Sequence, residues 1–380
     1  MKRGTDPTAR TSRTSLVPDH IEALLPYVPG KRVEDLEREL GITGAVKLAS
    51  NENPLGPSLH ALAAAKATAE RAHLYPDDQA LALSLALAGV YGVSRAEIGI
   101  GHGSNELIDL IVRTFAGPAD HAIVGVPTFA CYPLSLAAAN VPITPVPLRE
   151  NLFWDLPALR RALRPETKLV FLDHPGNPTS THIPADELRA FVRELPADVI
   201  LVIDEAYAEF ATASDFASAL SMRDLRERLI VLRTFSKVYG LAALRVGYAI
   251  STPEIIGYLQ RLRVPFNASA IAQAAAVAAL ADLEHLRRSV EHNSQERARV
   301  TAALSGLGLW VAPSQTNFVC VALERPAALV YQGLLREGVI VRPFGPPLHR
   351  HLRVSLGLTH ENDRFLSALP RVLDTVPAGG

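Results

Sequence analysis

The sequence predicts an α/β protein: a large domain built on a mostly parallel sheet flanked by helices, plus a smaller α/β domain. Three observations predict it. Between about residues 95 and 250, short apolar runs alternate with amphipathic stretches of helical period. The runs are continuously apolar instead of strictly alternating, which suits strands covered on both faces. After Pro265 the elements become fewer and shorter, as in a separate lobe. With 380 residues, 48% of them hydrophobic, the chain can bury a large core and a second, smaller one.

Taken in order, residues 1–15 are polar, with Lys2, Arg3, Arg10 and Arg13 set against Asp6. They lack the apolar periodic face of a transit peptide and read as a disordered leader. Residues 16–45 are too short to fold alone and are assigned to the small domain. Residues 46–265 form the large domain. Its strands are HAIVGV (121–126), KLVFL (168–172), VILVID (199–204), LIVLRT (229–234) and VGYAI (246–250), with helices at SNELIDLIVRTF (104–115) and ADELRAFVREL (185–195). Residues 266–380 form the small domain: a long helical region at about 268–305, then NFVCVAL (317–323), GVIVRP (338–343) and HLRVSLG (351–357).

Composition excludes several functions. A formal net charge of −1 provides no field for nucleic acid or an acidic membrane surface. The longest apolar candidate, AIAQAAAVAALA (270–281), is too short for a membrane span. Cys131 and Cys320 lie far apart without CxxC spacing, so a reducing, cytoplasmic setting is expected, with no disulfide framework. His349 and His351 form an HxH pattern without a nearby third ligand, and no metal is expected.

Candidate chemistry sits where the strands end, since open α/β sheets bind ligands beyond their carboxyl edges. VILVID ends in Asp204, a carboxylate that needs a partner when buried; a cationic ring nitrogen would serve, and so would a role as helix N-cap. LIVLRT runs into Thr234, Ser236 and Lys237. Only six of the 38 basic residues are lysine, so a lysine beside an apolar strand suggests a need for a deprotonatable amine. Arg245, eight residues on, could fork onto the same phosphate that those hydroxyls would hold. The segment GIGHGSNELIDLI (99–111) is a glycine-rich turn opening a helix, where the backbone at Gly103, Ser104 and Asn105 can meet an anion. Asn177, within HPGNPTS, is held among rigid turn residues.

Together, and in this order, the motifs resemble the fold-type-I pyridoxal-phosphate-dependent aminotransferases, and within them the histidinol-phosphate aminotransferases. The likeness runs from about residue 18 to 370 through NENPLGPS (51–58), YPD (75–77), Pro127-Thr128-Phe129, NPT (177–179), DEAYAEF (204–210), TFSK (234–237), LRVGYA (244–249), RVPFN (263–267) and TNF (316–318), ending in GVIVRP and LRVSLG. The resemblance implies pyridoxal 5′-phosphate as cofactor, with Lys237, Asp204 and Tyr207 catalytic. Lys237 would bond to the cofactor and then move a proton. Asp204 would pair with the ring nitrogen, Asn177 and Tyr207 would meet the ring oxygen, and Phe129 would stack on the ring. Ser104, Asn105, Ser236 and Arg245 would bind the phosphate, with Tyr75 reaching it from the second subunit of a homodimer. Substrate would be met by Tyr27, Asn53, Arg342 and Arg353, the last as carboxylate clamp. This chain departs from the family pattern at Gly176 and Ser180, at Ala243, and in PFGPPLHRHL between the two arginines.

The activity implied is transfer of an amine between a small amino donor and a 2-oxo acid, first of all histidinol phosphate with 2-oxoglutarate. An aromatic amino-acid aminotransferase is the alternative, followed by a threonine-phosphate decarboxylase. A cofactor-binding regulator would need a DNA-binding module, for which the residues before Tyr27 are too few and too unpatterned.

Overall fold

The computed structural model describes residues 15–26 and 30–377. The expected leader, apart from Ser15, and the expected substrate residue Tyr27 lie outside the described residues.

Seven strands form the central sheet: β1 (Ile98–Gly101), β2 (His121–Val126), β3 (Ile143–Pro147), β4 (Thr167–Asp173), β5 (Ile200–Asp204), β6 (Leu229–Thr234) and β7 (Gly247–Ile250). Their spatial order is β1-β7-β6-β5-β4-β2-β3. Only β7 runs against the rest. Successive side chains of a strand point to opposite faces, and here both faces are covered. Leu169 and Phe171 pack with Leu107, Ile108 and Ile111 of helix Gly103–Phe115. Val170 and Leu172 pack with Leu188 and Phe191 of helix Ala185–Glu194. That double burial is why the strands read as unbroken apolar runs.

Two strands are not apparent from the sequence. β1 lies in the glycine-rich segment, where the turn signal masks it. β3 reads Ile-Thr-Pro-Val-Pro, and prolines usually exclude a strand; here they sit on the sheet's outer edge, opposite Val124 and Val126, where a missing N–H costs least.

The helical region after Pro265 divides at Asp282, whose side chain caps the second helix by accepting from His285 N at 3.0 Å. Helix Leu283–Gly306 leads into the small domain. Helix Ala270–Ala281, by contrast, packs on Leu59–Ala69 and on Leu81–Tyr91, burying Ala272, Ala275, Ala276 and Ala279 against the large domain. Its small side chains allow that close approach, so this helix packs on large-domain helices although it follows Pro265. The small domain holds an antiparallel sheet of Arg342–Pro343, His351–Ser355 and Phe318–Ala322. Strand Val46–Lys47 pairs with Val339–Ile340, and Leu36 and Ala49 pack on Leu335 and Ile340, which seats the N-terminal segment on this domain.

β2, β4, β5 and β6 all end at one edge of the sheet. Helix Gly103–Phe115 begins there, and β7 starts there just after Arg245.

Candidate active site

A cavity opens at that edge between the two domains. Its walls bring together Ser104, Asn105, Phe129, Asn177, Asp204, Tyr207, Ser236, Lys237, Arg245, Arg342 and Arg353, residues scattered over 250 positions of sequence.

One end of the cavity is an anion cup. Ser104 and Asn105 open a thirteen-residue helix, where unpaired N–H groups and the helix dipole favour negative charge. Two glycines make the cup possible. A methyl group on Gly247 would meet Ser104 N at 2.7 Å, and one on Gly103 would overlap the Arg245 guanidinium. Arg245 is itself held in left-handed backbone (φ 53°), a conformation that costs a non-glycine residue about 1–2 kcal/mol. That twist aims its Nη1 at Ser236 Oγ (3.2 Å). Ser236 is positioned in turn by Thr234, whose Oγ1 accepts from Ser236 N at 3.1 Å.

Asp204 lies on the cavity floor. Its carboxylate accepts from Tyr132 Oη at 2.9 Å and from Ala206 N at 3.0 Å. Burial raises its pKa to about 6, against the pull of those two hydrogen bonds. A buried acid so placed would be stabilised by a cation entering the cavity.

Lys237 faces the cavity from the loop after β6. Its Nζ donates to Ser50 O at 3.3 Å and lies 5.5 Å from the Tyr207 ring centre. Burial above all, then the Arg353 and Arg245 guanidinium groups, press its pKa down to about 8 against the opposing charges of Glu52 and Asp204. A substantial neutral fraction at physiological pH makes this amine a usable nucleophile and proton carrier. Tyr207 stays a neutral phenol, pushed by burial up to about 12, and its Oη accepts from Asn51 Nδ2 at 3.0 Å.

Two arginines also line the cavity. Arg342 and Arg353 are direct partners across an antiparallel strand pair, and both line the cavity. Like charges set opposite one another destabilise a sheet, and an anion between them reverses the sign. Arg353 also donates to Asn177 Oδ1 and to Ala49 O, both at 2.6 Å, and lies 5.4 Å from the Phe318 ring. With its oxygen engaged by Arg353, the Asn177 amide turns its NH₂ group toward other acceptors.

Two expected residues lie elsewhere. Asn53 does not line the cavity; its amide donates to Val238 O (2.7 Å) and Ser289 Oγ (2.9 Å), and its oxygen accepts from Leu55 N, so it fastens the loop. Its neighbour Asn51, two positions earlier in the same motif, takes the cavity position. Tyr75 is 83% exposed and stacks on Phe266 with ring centres 4.7 Å apart, outside this chain's own cavity. Two residues that sequence reasoning passed over complete the floor: Tyr132, hidden in the featureless helix Cys131–Ala138, and Asp173 at the end of β4.

The residues fit a phosphorylated pyridine aldehyde: an anion cup, a carboxylate for the ring nitrogen, an aromatic face at Phe129, donors for a ring oxygen and a neutral-prone lysine. No group of His, Cys, Asp and Glu suited to a metal ion occurs among the described residues, and no helix among them is long and apolar enough to cross a membrane.

Comparison with known proteins agrees. The profile of the family "Aminotransferase class I and II" matches residues 43–369. The chain is 44% identical over 360 residues to a histidinol-phosphate aminotransferase of Anaeromyxobacter sp. (strain Fw109-5), covering 94% of this chain and 99% of that protein. It is 45% identical over 360 residues to histidinol-phosphate aminotransferase 2 of Pseudomonas fluorescens (strain Pf0-1), covering 93% and 96%. The crystal structure of histidinol-phosphate aminotransferase from Sinorhizobium meliloti in complex with pyridoxal-5′-phosphate superposes with a TM-score of 0.88 at 33% identity, covering 96% of this chain and 99% of that one. This chain belongs to the class I and II aminotransferases.

Proposed function

Starting from that membership, we propose that the protein holds pyridoxal 5′-phosphate and exchanges an amine between histidinol phosphate and 2-oxoglutarate. The observation that supports the substrate reading is the Arg342–Arg353 pair, two cationic residues that are strand partners and both line the cavity. The names of the Anaeromyxobacter and Pseudomonas relatives point the same way.

The bound cofactor supplies an aldehyde for the substrate amine and a ring able to accept the electron pair released at the amine-bearing carbon. The protein's part follows from its own groups. Ser104, Asn105, Ser236 and Arg245 hold the phosphate. Asp204 keeps a proton at the ring nitrogen, and Asn177 and Tyr207 hydrogen-bond the ring oxygen. Phe129 covers one ring face. Lys237 Nζ, in its neutral form, would take the proton from the substrate's amine-bearing carbon and return it to the carbon that was the cofactor's aldehyde. Arg353 is the carboxylate clamp for glutamate, and Arg342, with Tyr27, is assigned to the substrate phosphate.

The protein is assigned as a cytoplasmic homodimer. Support for the dimer is the exposed, stacked Tyr75–Phe266 pair, together with the exposed apolar side chains Leu59, Leu81 and Leu85. Across a two-fold axis Tyr75 would complete the neighbour's phosphate cup.

The test is a substrate panel of histidinol phosphate, phenylalanine, tyrosine and threonine phosphate, each with 2-oxoglutarate, on wild type, Arg342→Ala and Lys237→Ala. Wild type should show the visible band of the covalently held cofactor, and Lys237→Ala should lose both band and turnover. Arg342→Ala should cost histidinol phosphate roughly ten- to a hundredfold in kcat/KM, the value of a charge-assisted arginine contact, and phenylalanine much less. Equal kcat/KM for the two substrates, with equal losses in Arg342→Ala, would move the protein to the aromatic class. Carbon dioxide released from threonine phosphate would make it a decarboxylase.

A further inference from the structure

Asp173 and Asp204 are the last residues of adjacent parallel strands and are partners in register. Both line the cavity and both are buried. The roles assigned above use only Asp204.

Asp173 takes part in none of the ion pairs among the described residues. Its carboxyl faces two loops instead. Oδ2 accepts from Asn177 N at 3.0 Å, and the backbone N–H of Phe129 lies near enough to the same carboxyl to help hold its pKa down. Each loop carries one residue assigned to the cofactor ring: Phe129 to its face and Asn177 to its oxygen. Gly176, between the acid and Asn177, leaves room for this turn, because a methyl group there would overlap Thr179 and come within 3.3 Å of Asp173 Oδ1. From Asn177 the connection continues to Arg353, whose Nη1 donates to the Asn177 oxygen.

We propose that Asp173 is a positioning residue of this site, tying the Phe129 loop and the Asn177 loop to the end of β4 so that both meet the ring in one geometry. The inference rests on the pyridoxal-phosphate reading. A carboxyl suits the task because it offers more than one acceptor to N–H donors converging from two directions. Burial, and then the charge of Asp204 beside it, raise its pKa to about 7, against hydrogen bonds from Asn177, Phe129 and its own backbone. The group is therefore retained at an electrostatic cost that loop packing alone would not require.

The test measures pyridoxal 5′-phosphate dissociation from the apoprotein and the visible circular dichroism of the bound cofactor, which reports the ring's asymmetric surroundings. Wild type, Asp173→Asn and Asp173→Ala are compared. The alanine variant should bind about tenfold more weakly with a reduced dichroic band. The asparagine variant, which keeps one acceptor oxygen, should fall between it and wild type in both readouts. A folded alanine variant with the wild-type dissociation constant and band would overturn the proposal. If alanine does not fold, asparagine decides: weaker binding with a reduced band supports the proposal, and wild-type values overturn it. A wild type that fails to bind the cofactor at all would overturn the functional reading and this one with it, whereas wild-type binding with unchanged variants overturns this one alone.

Discussion

Asp204 and Glu205 are consecutive, both buried, and surrounded in opposite ways. Glu205 is finished by the protein: Arg233 Nη2 lies 2.6 Å from its carboxylate, Ser218 Oγ donates at 2.7 Å and Ala219 N at 2.6 Å. Arg233 also pairs with Glu209 at 2.9 Å, closing a cluster with no opening to the cavity. Asp204 receives one phenol and one N–H, and its exposed side is the cavity itself. The difference separates architecture from chemistry. A buried charge with a complete set of partners holds the fold, while one with an incomplete set waits for a charge from outside.

The largest effect should come from exchanging the two acids one at a time. Asp204→Asn removes the group proposed to keep the ring nitrogen protonated, so turnover should drop by several orders of magnitude while the apoprotein stays folded. A loss smaller than about tenfold, roughly 1.4 kcal/mol of barrier, would make Asp204 a structural cap. Glu205→Gln should do the reverse. Breaking a buried pair from one side costs about 3–5 kcal/mol, read as a lower denaturation midpoint, and the protein that remains folded should turn over at close to the wild-type rate.

A smaller effect is expected from pH. Folded Asp204 binds its proton up to about pH 6, and the unfolded chain releases it near 3.8. The folded state therefore holds more protons between those values, and this group's contribution to stability falls as pH rises from about 4 to 6. Removing the acid should remove that slope. Apoprotein Asp204→Asn should gain on wild type between pH 4 and pH 7 by up to about 3 kcal/mol, the equivalent of a two-unit shift. Bound cofactor should shrink the gain by giving Asp204 its cation. Parallel stability curves for the two apoproteins would contradict the account of Asp204 as an uncompensated acid.

Ser180 should give the smallest change. It is fully buried with φ at 66°, and its Oγ has no hydrogen-bond partner among the described residues. It belongs to neither kind of site, since no partner among the described residues completes its hydroxyl and it is not among the residues lining the cavity. Ser180→Gly should stabilise the protein by about 1 kcal/mol through relief of the left-handed strain and the unpaired hydroxyl, with kcat unchanged. A lower melting temperature would show that the hydroxyl is satisfied in solution.

Much of this was legible in the sequence because the cues are local. Apolar runs marked the five inner strands, since a strand buried on both faces needs apolar residues at every position. A scarce lysine after β6 and an acid closing β5 marked the end of the sheet where the cavity opens. The order of motifs supplied the family, and with it residues from Ser104 to Arg245 that the fold brings together around one cavity. Edge strand β3 was not legible, because its prolines are tolerated only by virtue of its place at the sheet's rim.

Other features were decided by tertiary structure alone. Asn51 and Asn53 are the same residue type in one short motif; only the fold turns Asn51 toward Tyr207 and Asn53 toward Ser289. Tyr132 carries no mark in its helix and gains a role because the helix sets its hydroxyl 2.9 Å from Asp204. Asp173 lies 31 positions from Asp204 and becomes its neighbour through strand register. Arg342 and Arg353 read as two separate arginines until an antiparallel pairing sets them face to face. Sequence fixes what each residue can do, because charge, shape and hydrogen-bonding capacity belong to the side chain. Which of those capacities is used depends on burial and on partners brought from distant positions, and only the folded chain supplies them.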